Sequence, residues 1–272
     1  MEWLEISGNW VLLPRRPIGI IHFLGGAFVA TLPHLSYRRL LEFLAQQGYL
    51  VIATPFVNTF EHTAIAETVL WQFDRTRYIL EDRYISERNL PVFGLGHSMG
   101  CKLHLLIGSL YEVNRSGNIL ISFNNFAAKD SIPMMGQLTQ VMQQFAPQLA
   151  PMGSPEFTPS PEETTRIVRD RYDIPHNLLV KFSNDTLDQT RPLSMILNDR
   201  FPGHTALCKL KGNHMTPVAQ DLKWETNPNF TPLDAFGSWF RQEVFREIEQ
   251  LEQEILYWLH KVREGTGRFD LE

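Results

Sequence analysis

The five residues Gly96-His97-Ser98-Met99-Gly100 carry the sharpest chemical signal in the chain. An apolar run, Pro91-Val92-Phe93-Gly94-Leu95, leads into them and a helical stretch follows, so Ser98 falls on a strand-to-helix elbow. Such a turn holds its serine at positive φ and needs small residues two places to either side. It lifts the hydroxyl above the carboxyl edge of a sheet, beside the positive end of a helix, where a serine can attack a carbonyl carbon. A glycine-rich turn with an idle serine is the competing reading. A dinucleotide fingerprint starting at Gly94-Leu95-Gly96 fails, because its third glycine position is Met99.

A serine hydroxyl needs a base. His97 adjoins Ser98, but successive side chains at a sharp elbow point apart, and His104 is expected to pack against the sheet. His214 fits better: it lies in Lys211-Gly212-Asn213-His214-Met215-Thr216-Pro217, after the last predicted strand and therefore on the carboxyl edge. Its plain alternative is an ordinary surface histidine. The base in turn needs a carboxylate on its far side. Asp185, at the end of the strand Leu178 to Phe182, is the first candidate, and Asp188 the second, since an aspartate ahead of a helix is often only a cap. The preceding strand ends in amides, Asn124 and Asn125, where an acid could otherwise serve. For the oxyanion of an acyl-transfer step, the elbow offers the Met99 N–H. The loop His22-Phe23-Leu24-Gly25-Gly26-Ala27-Phe28 offers that of Gly26 or Ala27.

Those residues need a scaffold that brings them to one edge. Trp10 to Leu13, Ile18 to Leu24, Tyr49 to Ala53, Pro91 to Gly96, Asn118 to Phe123, Leu178 to Phe182 and Thr205 to Leu210 read as strands. Helical spacing recurs from Tyr37 to Leu44, from about Glu61 to Arg83, from Met99 to about Tyr111 and near Leu193 to Arg200. The alternation predicts an α/β protein with a mostly parallel sheet. From about 125 to 173 the rhythm stops in a segment rich in Met, Gln and Pro, with weak helical patches, too long for a simple connection. Near the C-terminus Phe236, Phe240, Val244, Ile248, Leu251, Ile255, Leu259 and Val262 step by three or four, with Glu247, Glu249, Glu252 and Glu254 opposite. That stripe is expected to cover one face of the sheet, with a dimer or membrane-surface face as the alternative.

The order Ser98…Asp185…His214, the elbow and the Gly25-Gly26 loop resemble the α/β-hydrolase superfamily over nearly the whole chain. Within it, the elbow with Phe182-Ser183-Asn184-Asp185 and Gly212-Asn213-His214-Met215-Thr216-Pro217 resembles an uncharacterised esterase-like family of photosynthetic lineages. The resemblance implies an α/β-hydrolase fold in one domain, helices on both faces of a mostly parallel sheet, and a cap inserted at about 125–173. It departs from many such hydrolases in having Cys101 after the elbow and LGGA in the early loop. Cys101 and Cys208 are expected to be buried fillers, although Cys101 is near enough to Ser98 to line the site.

Composition narrows the function classes. At 31.4 kDa the chain is long enough to bury roughly three-quarters of its unfolded surface. With 25 Lys and Arg against 30 Asp and Glu, and no basic cluster, a nucleic-acid groove is not expected. The acidic N-terminus lacks a secretory pattern, no apolar run reaches membrane-span length, and two cysteines suit a reducing compartment, so a soluble cytoplasmic protein is expected. Nine histidines include no HxH or HExxH pair, so neither metal nor cofactor is expected. The expected activity is cleavage of a small-molecule ester or thioester through an acyl-enzyme on Ser98. Met134, Met135, Met142, Phe145 and Phe157 would form an apolar wall for a lipid-like acyl chain, unless they merely pack on the sheet. An acyltransferase with the same residues, and a non-catalytic ligand-binding homologue, are the alternatives. The oligomeric state has no signature in the sequence.

Overall fold

The computed structural model describes residues 1–27, 29–87, 89–127, 156–218 and 245–265, together with the backbone of 232–244. Its strands are β1 (Leu4–Ile6), β2 (Asn9–Leu12), β3 (Gly19–Leu24), β4 (Tyr49–Ala53), β5 (Val92–His97), β6 (Gly117–Ile121), β7 (Asn177–Phe182) and β8 (Thr205–Leu210). They form one sheet in the order β1-β2-β4-β3-β5-β6-β7-β8. The pairs β1–β2 and β2–β4 are antiparallel and every pair from β4 to β8 is parallel. The helices are α1 (Pro33–Ser36), α2 (Arg38–Gln46), α3 (His62–Arg83), α4 (Met99–Leu110), α5 (Pro161–Arg171), α6 (Thr190–Arg200) and α7 (Pro232–Arg263).

Strands β3 to β6 are buried along their whole length, as apolar runs covered by helices on both faces must be. On one face Leu40, Leu41 and Leu44 of α2 and Leu251, Ile255, Trp258 and Leu259 of α7 pack against Ile21, Phe23, Phe93 and Leu95. On the other lie Val69 of α3, Leu103 and Leu105 of α4, Val168 of α5 and Leu193 of α6. Each such side chain contributes roughly 1.5–3 kcal/mol by leaving water. The C-terminal stripe does cover the sheet. Glu252, however, is buried rather than on a solvated face, and pairs with Arg39 at 3.3 Å. Phe236, Phe240 and Val244 lie outside the described side chains.

Two elements differ from expectation. Strand β1 was not anticipated, because Leu4–Ile6 is three residues long, largely exposed, and held by pairing with β2 alone. Helix α5 lies inside the stretch that reads as irregular. Its start is a capping box: the Glu163 N–H donates to Ser160 Oγ (3.2 Å), and the Ser160 N–H donates to Glu163 Oε2 (3.1 Å).

The connectivity locates a crevice. The chain lays β4 on one side of β3 and β5 on the other, so the loops leaving the carboxyl ends of β3 and β5 diverge there. Beneath that point the core holds a charge. Gly94 leaves room for the Arg115 guanidinium, since a Cβ there would lie 2.5 Å from its Nη1. Arg115 donates to His104 Nδ1 (2.8 Å) and His22 Nδ1 (2.9 Å). A guanidinium has no acceptor, so both imidazoles are neutral with the proton on Nε2, and His22 passes its own to Thr54 Oγ1 at 3.2 Å.

This arrangement sets a pH dependence. Burial, followed by Arg115, pushes both His22 and His104 well below the ordinary histidine value. Burial likewise pulls His62 and His97 down to about 3. An unfolded chain takes up protons at these sites below about pH 6.5 and the folded chain does not, so their contribution is complete above that pH and shrinks as pH falls. Between pH 6.5 and 5.5 each should cost about 1 kcal/mol, lowering the thermal midpoint by roughly 10 °C in sum. Calorimetry across that range checks this; an unchanged midpoint would contradict the neutral assignment.

Candidate active site

Strand β5 ends at His97 and α4 begins at Met99, leaving Ser98 between them at φ 55° and ψ −117°. A non-glycine residue in this region costs about 1–3 kcal/mol, so the surroundings must enforce it. The Ser98 N–H donates to the Ile121 carbonyl (2.9 Å), and the Cys101 N–H donates to the Ser98 carbonyl (3.0 Å). The flanking glycines are steric requirements. A Cβ on Gly96 would sit 2.6 Å from the Cys101 nitrogen, and one on Gly100 would sit 2.0 Å from the Leu24 carbonyl oxygen. Cys101 faces away from the crevice. It is fully buried beside Leu105 and Leu120, its single S–H shared between the Gly96 and Ile121 carbonyls (3.2 Å each), so it fills the core and does not line the site.

Ser98, His214 and Asp185 are hydrogen-bonded in series. His214 Nε2 lies 3.1 Å from Ser98 Oγ, and its Nδ1 lies 2.9 Å from Asp185 Oδ2. A carboxylate accepts, so Nδ1 carries the proton and Nε2 is left to accept from the serine. Asn124 Nδ2 donates to Ser98 Oγ at 3.0 Å, which leaves the hydroxyl hydrogen for His214. The Asp185 side chain is fully buried. Burial alone would raise its pKa, but hydrogen bonds from His214 and from the Leu187 N–H (2.9 Å), with Ser122 beside it, hold the carboxyl below the usual range. The two loops are joined by the Asn184 N–H, which donates to the Gly212 carbonyl at 3.0 Å. Beyond it Asn213 and Thr216 close the tight turn that presents His214.

Asp188, the second candidate for the acid, is placed elsewhere. Its buried carboxylate accepts from Lys181 Nζ at 2.8 Å and from the Thr190 hydroxyl, ahead of α6. His104 packs in the core with Arg115, as its helix position suggested.

His97 is not bonded to Ser98. Its Nε2 lies 2.9 Å from the His214 carbonyl oxygen, which can only accept, so Nε2 carries the proton and Nδ1 must accept. The donor to Nδ1 is the Tyr37 hydroxyl at 2.7 Å, and the Tyr37 oxygen in turn accepts the Gly26 N–H at 2.8 Å. A directed chain of hydrogen bonds therefore runs from the early glycine loop through Tyr37 and His97 to the backbone of His214 itself. It also corrects one expectation, because Gly26 spends its N–H on Tyr37 and cannot offer it to an oxyanion. Among the described residues nothing accepts from the Ala27 N–H, and Met99, at the first position of α4, has no intrahelical acceptor. Phe28 lies outside the described residues.

These groups open into a cleft of about 290 Å³ with apolar walls that include Ala27, Val29, Met99, Phe126, Phe157 and Met215. Met134, Met135, Met142 and Phe145 lie outside the described residues. Among the described residues, no group of three or more His, Cys, Asp or Glu is gathered as a metal site, and no helix is long and apolar enough to cross a membrane.

A family profile described as "Protein of unknown function (DUF1350)" matches residues 2–261. The chain belongs to the DUF1350 family. No curated protein matches it in sequence. Among solved structures, an esterase of Pyrococcus furiosus superposes with a TM-score of 0.53 at 14% identity, over 92% of this chain and 90% of that one. The fluorophosphonate-binding serine hydrolase F of Staphylococcus aureus gives 0.51 at 15% identity, over 78% and 90%. The S-formylglutathione hydrolase of the same organism gives 0.51 at 16%, again over 78% and 90%. At these identities the likeness is one of fold: this DUF1350 chain has the α/β-hydrolase fold.

In this DUF1350 member the Tyr37 hydroxyl joins two otherwise separate loops. Tyr37→Phe would leave His97 Nδ1 and the Gly26 N–H buried without partners, at about 1–3 kcal/mol each. Denaturant unfolding should show a loss of that order with an unchanged m-value; an unaltered midpoint would contradict the directed chain.

Proposed function

We propose that the protein is a serine hydrolase that cleaves a small-molecule carboxylic ester or thioester through an acyl-enzyme on Ser98. In this reading the chain is one hydrolase domain and residues from about 125 to 173 are its inserted cap. The observation that carries it is the pair of contacts about His214, 3.1 Å to Ser98 Oγ and 2.9 Å to Asp185 Oδ2. That an esterase and a serine hydrolase share its fold is consistent with this reading.

His214 Nε2 takes the Ser98 proton as Oγ bonds to the substrate carbonyl carbon. Asp185 holds the tautomer that makes this possible and stabilises the imidazolium that results. The carbonyl oxygen, now negative, is held by the N–H groups of Ala27 and Met99, each worth about 3 kcal/mol at the transition state. His214 then gives its proton to the departing alcohol or thiol as the carbon–heteroatom bond breaks. Water repeats the sequence on the acyl-enzyme, with His214 again as base, and releases the acid and free Ser98. The apolar walls of the cleft suit an acyl chain.

A fluorophosphonate should label the wild-type protein and leave Ser98→Ala unlabelled. His214→Ala should be slowed by at least about 10³-fold, and Asp185→Asn by roughly 10³–10⁴-fold, because the amide favours the wrong tautomer. Asp188→Asn should stay within a few-fold of wild type. Labelling that survives in Ser98→Ala, or that depends on Asp188 in place of Asp185, would overturn the assignment.

A further inference from the structure

One turn into α4, on the wall that begins at Ser98, Lys102 also lines the cleft. Its position four residues on puts its Cα about 6 Å further along the helix axis. The residue is 3% exposed. An ammonium has three N–H donors, and Lys102 spends one on the Pro159 carbonyl at 3.1 Å, with the Phe157 ring 5.7 Å from the nitrogen. Among the described residues no carboxylate forms an ion pair with it. Glu156 acts on it from a greater distance, and burial pulls its pKa down to about 8, so it remains largely charged at neutral pH.

His62, at the start of α3, also lines the cleft beside Phe157 and is likewise 3% exposed, yet among the described residues neither ring nitrogen has a hydrogen-bond partner. Asn58, close by in sequence, has a side-chain carbonyl oxygen without a partner among the described residues, which rotation about its terminal torsion exchanges for an NH₂ donor. A buried cation with unused donors, and an imidazole with none of its bonding satisfied, are costly unless a ligand completes them. Neither group has a part in the acyl-transfer steps above.

We propose that Lys102 and His62 form an anion subsite in this cleft, and that the substrate is an ester or thioester whose acyl part ends in a carboxylate or a similar oxyanion. Two Lys102 N–H groups and one from the neutral His62 would receive the oxygens, while the apolar walls hold the methylenes between them and Ser98. Little more than one helical turn, about 6 Å of backbone rise, separates Ser98 from Lys102, so a short dicarboxylic acyl chain is the one to test first. The inference rests on Ser98 being the nucleophile.

The experiment compares mono(p-nitrophenyl) glutarate with p-nitrophenyl pentanoate, equal in acyl length and differing in the terminal charge. A phosphono analogue, the p-nitrophenyl ester of 4-phosphonobutyrate, separates carboxylate from phosphorus oxyanion. The wild-type kcat/KM should favour the better anion over pentanoate at least tenfold. Lys102→Met should lower that ratio tenfold or more and His62→Leu several-fold, with pentanoate hydrolysis by each variant kept within a few-fold. A merely structural lysine would depress both substrates together. A wild-type ratio at or below one, or a ratio unchanged in Lys102→Met, overturns the subsite while leaving the hydrolase reading intact. Should Ser98 prove inert, thermal stabilisation of Ser98→Ala by monomethyl glutarate but not by methyl pentanoate, abolished in the Ser98→Ala/Lys102→Met double variant, would retain the subsite and discard the nucleophile. Absence of that stabilisation would discard both.

Discussion

The close approach of α4 to the end of β3 governs the rest of the site. Gly100 lies so near the Leu24 carbonyl that any side chain would collide with backbone, which cannot swing aside as a side chain can. The contact presses the first turn of α4 against the loop after β3, and Ser98, caught between strand and helix, takes a positive φ. The Ser98 side chain is thereby set beside Gly26, where an added Cβ would meet Ser98 Cβ at 3.4 Å. The topological reversal between β3 and β5 provides the crevice, and the glycines let the chain close on it.

Around that contact, two sets of buried polar groups are joined in directed series. Every described hydrogen bond of His97, Tyr37 and Gly26 has one possible direction, because the series ends on a carbonyl that can only accept. The same logic orders the Arg115 cluster beneath, which ends on a guanidinium that can only donate. The upper chain ties the loop bearing His214 to the loop bearing Ala27, so the groups that would move a proton and hold an oxyanion share one support. In the cleft, Lys102 keeps unused donors and His62, unlike His97, has neither ring nitrogen hydrogen-bonded among the described residues.

Much of this was legible in the residues themselves. The continuous apolar run Tyr49–Ala53 announces its strand to the residue, because central strands must be apolar on both faces. The elbow announces itself by its glycines, and chain order alone put Ser98, Asp185 and His214 on one edge. What was missed depends on contacts between distant residues. Tyr37 lies 60 residues from His97, and nothing local marks it as a partner. The loss of Gly26 as an oxyanion donor follows from that same contact. Asp185 and Asp188 are nearly equivalent in sequence. Lys181, reaching from β7 to Asp188, is what separates them. Lys102 reads as one more helix residue until its burial is seen. The capping box of α5 was readable at Ser160 and Glu163, but the prolines around it obscured the helix.

The central claim is that Ser98 becomes covalently acylated. Wild-type protein mixed with p-nitrophenyl butyrate, quenched in acid within the first turnover and digested, should yield a Ser98-containing peptide heavier by one butyryl group. That adduct should decay as substrate is consumed. Release of p-nitrophenol at an equal rate from Ser98→Ala, with no acylated Ser98 at any time in the wild type, would contradict it.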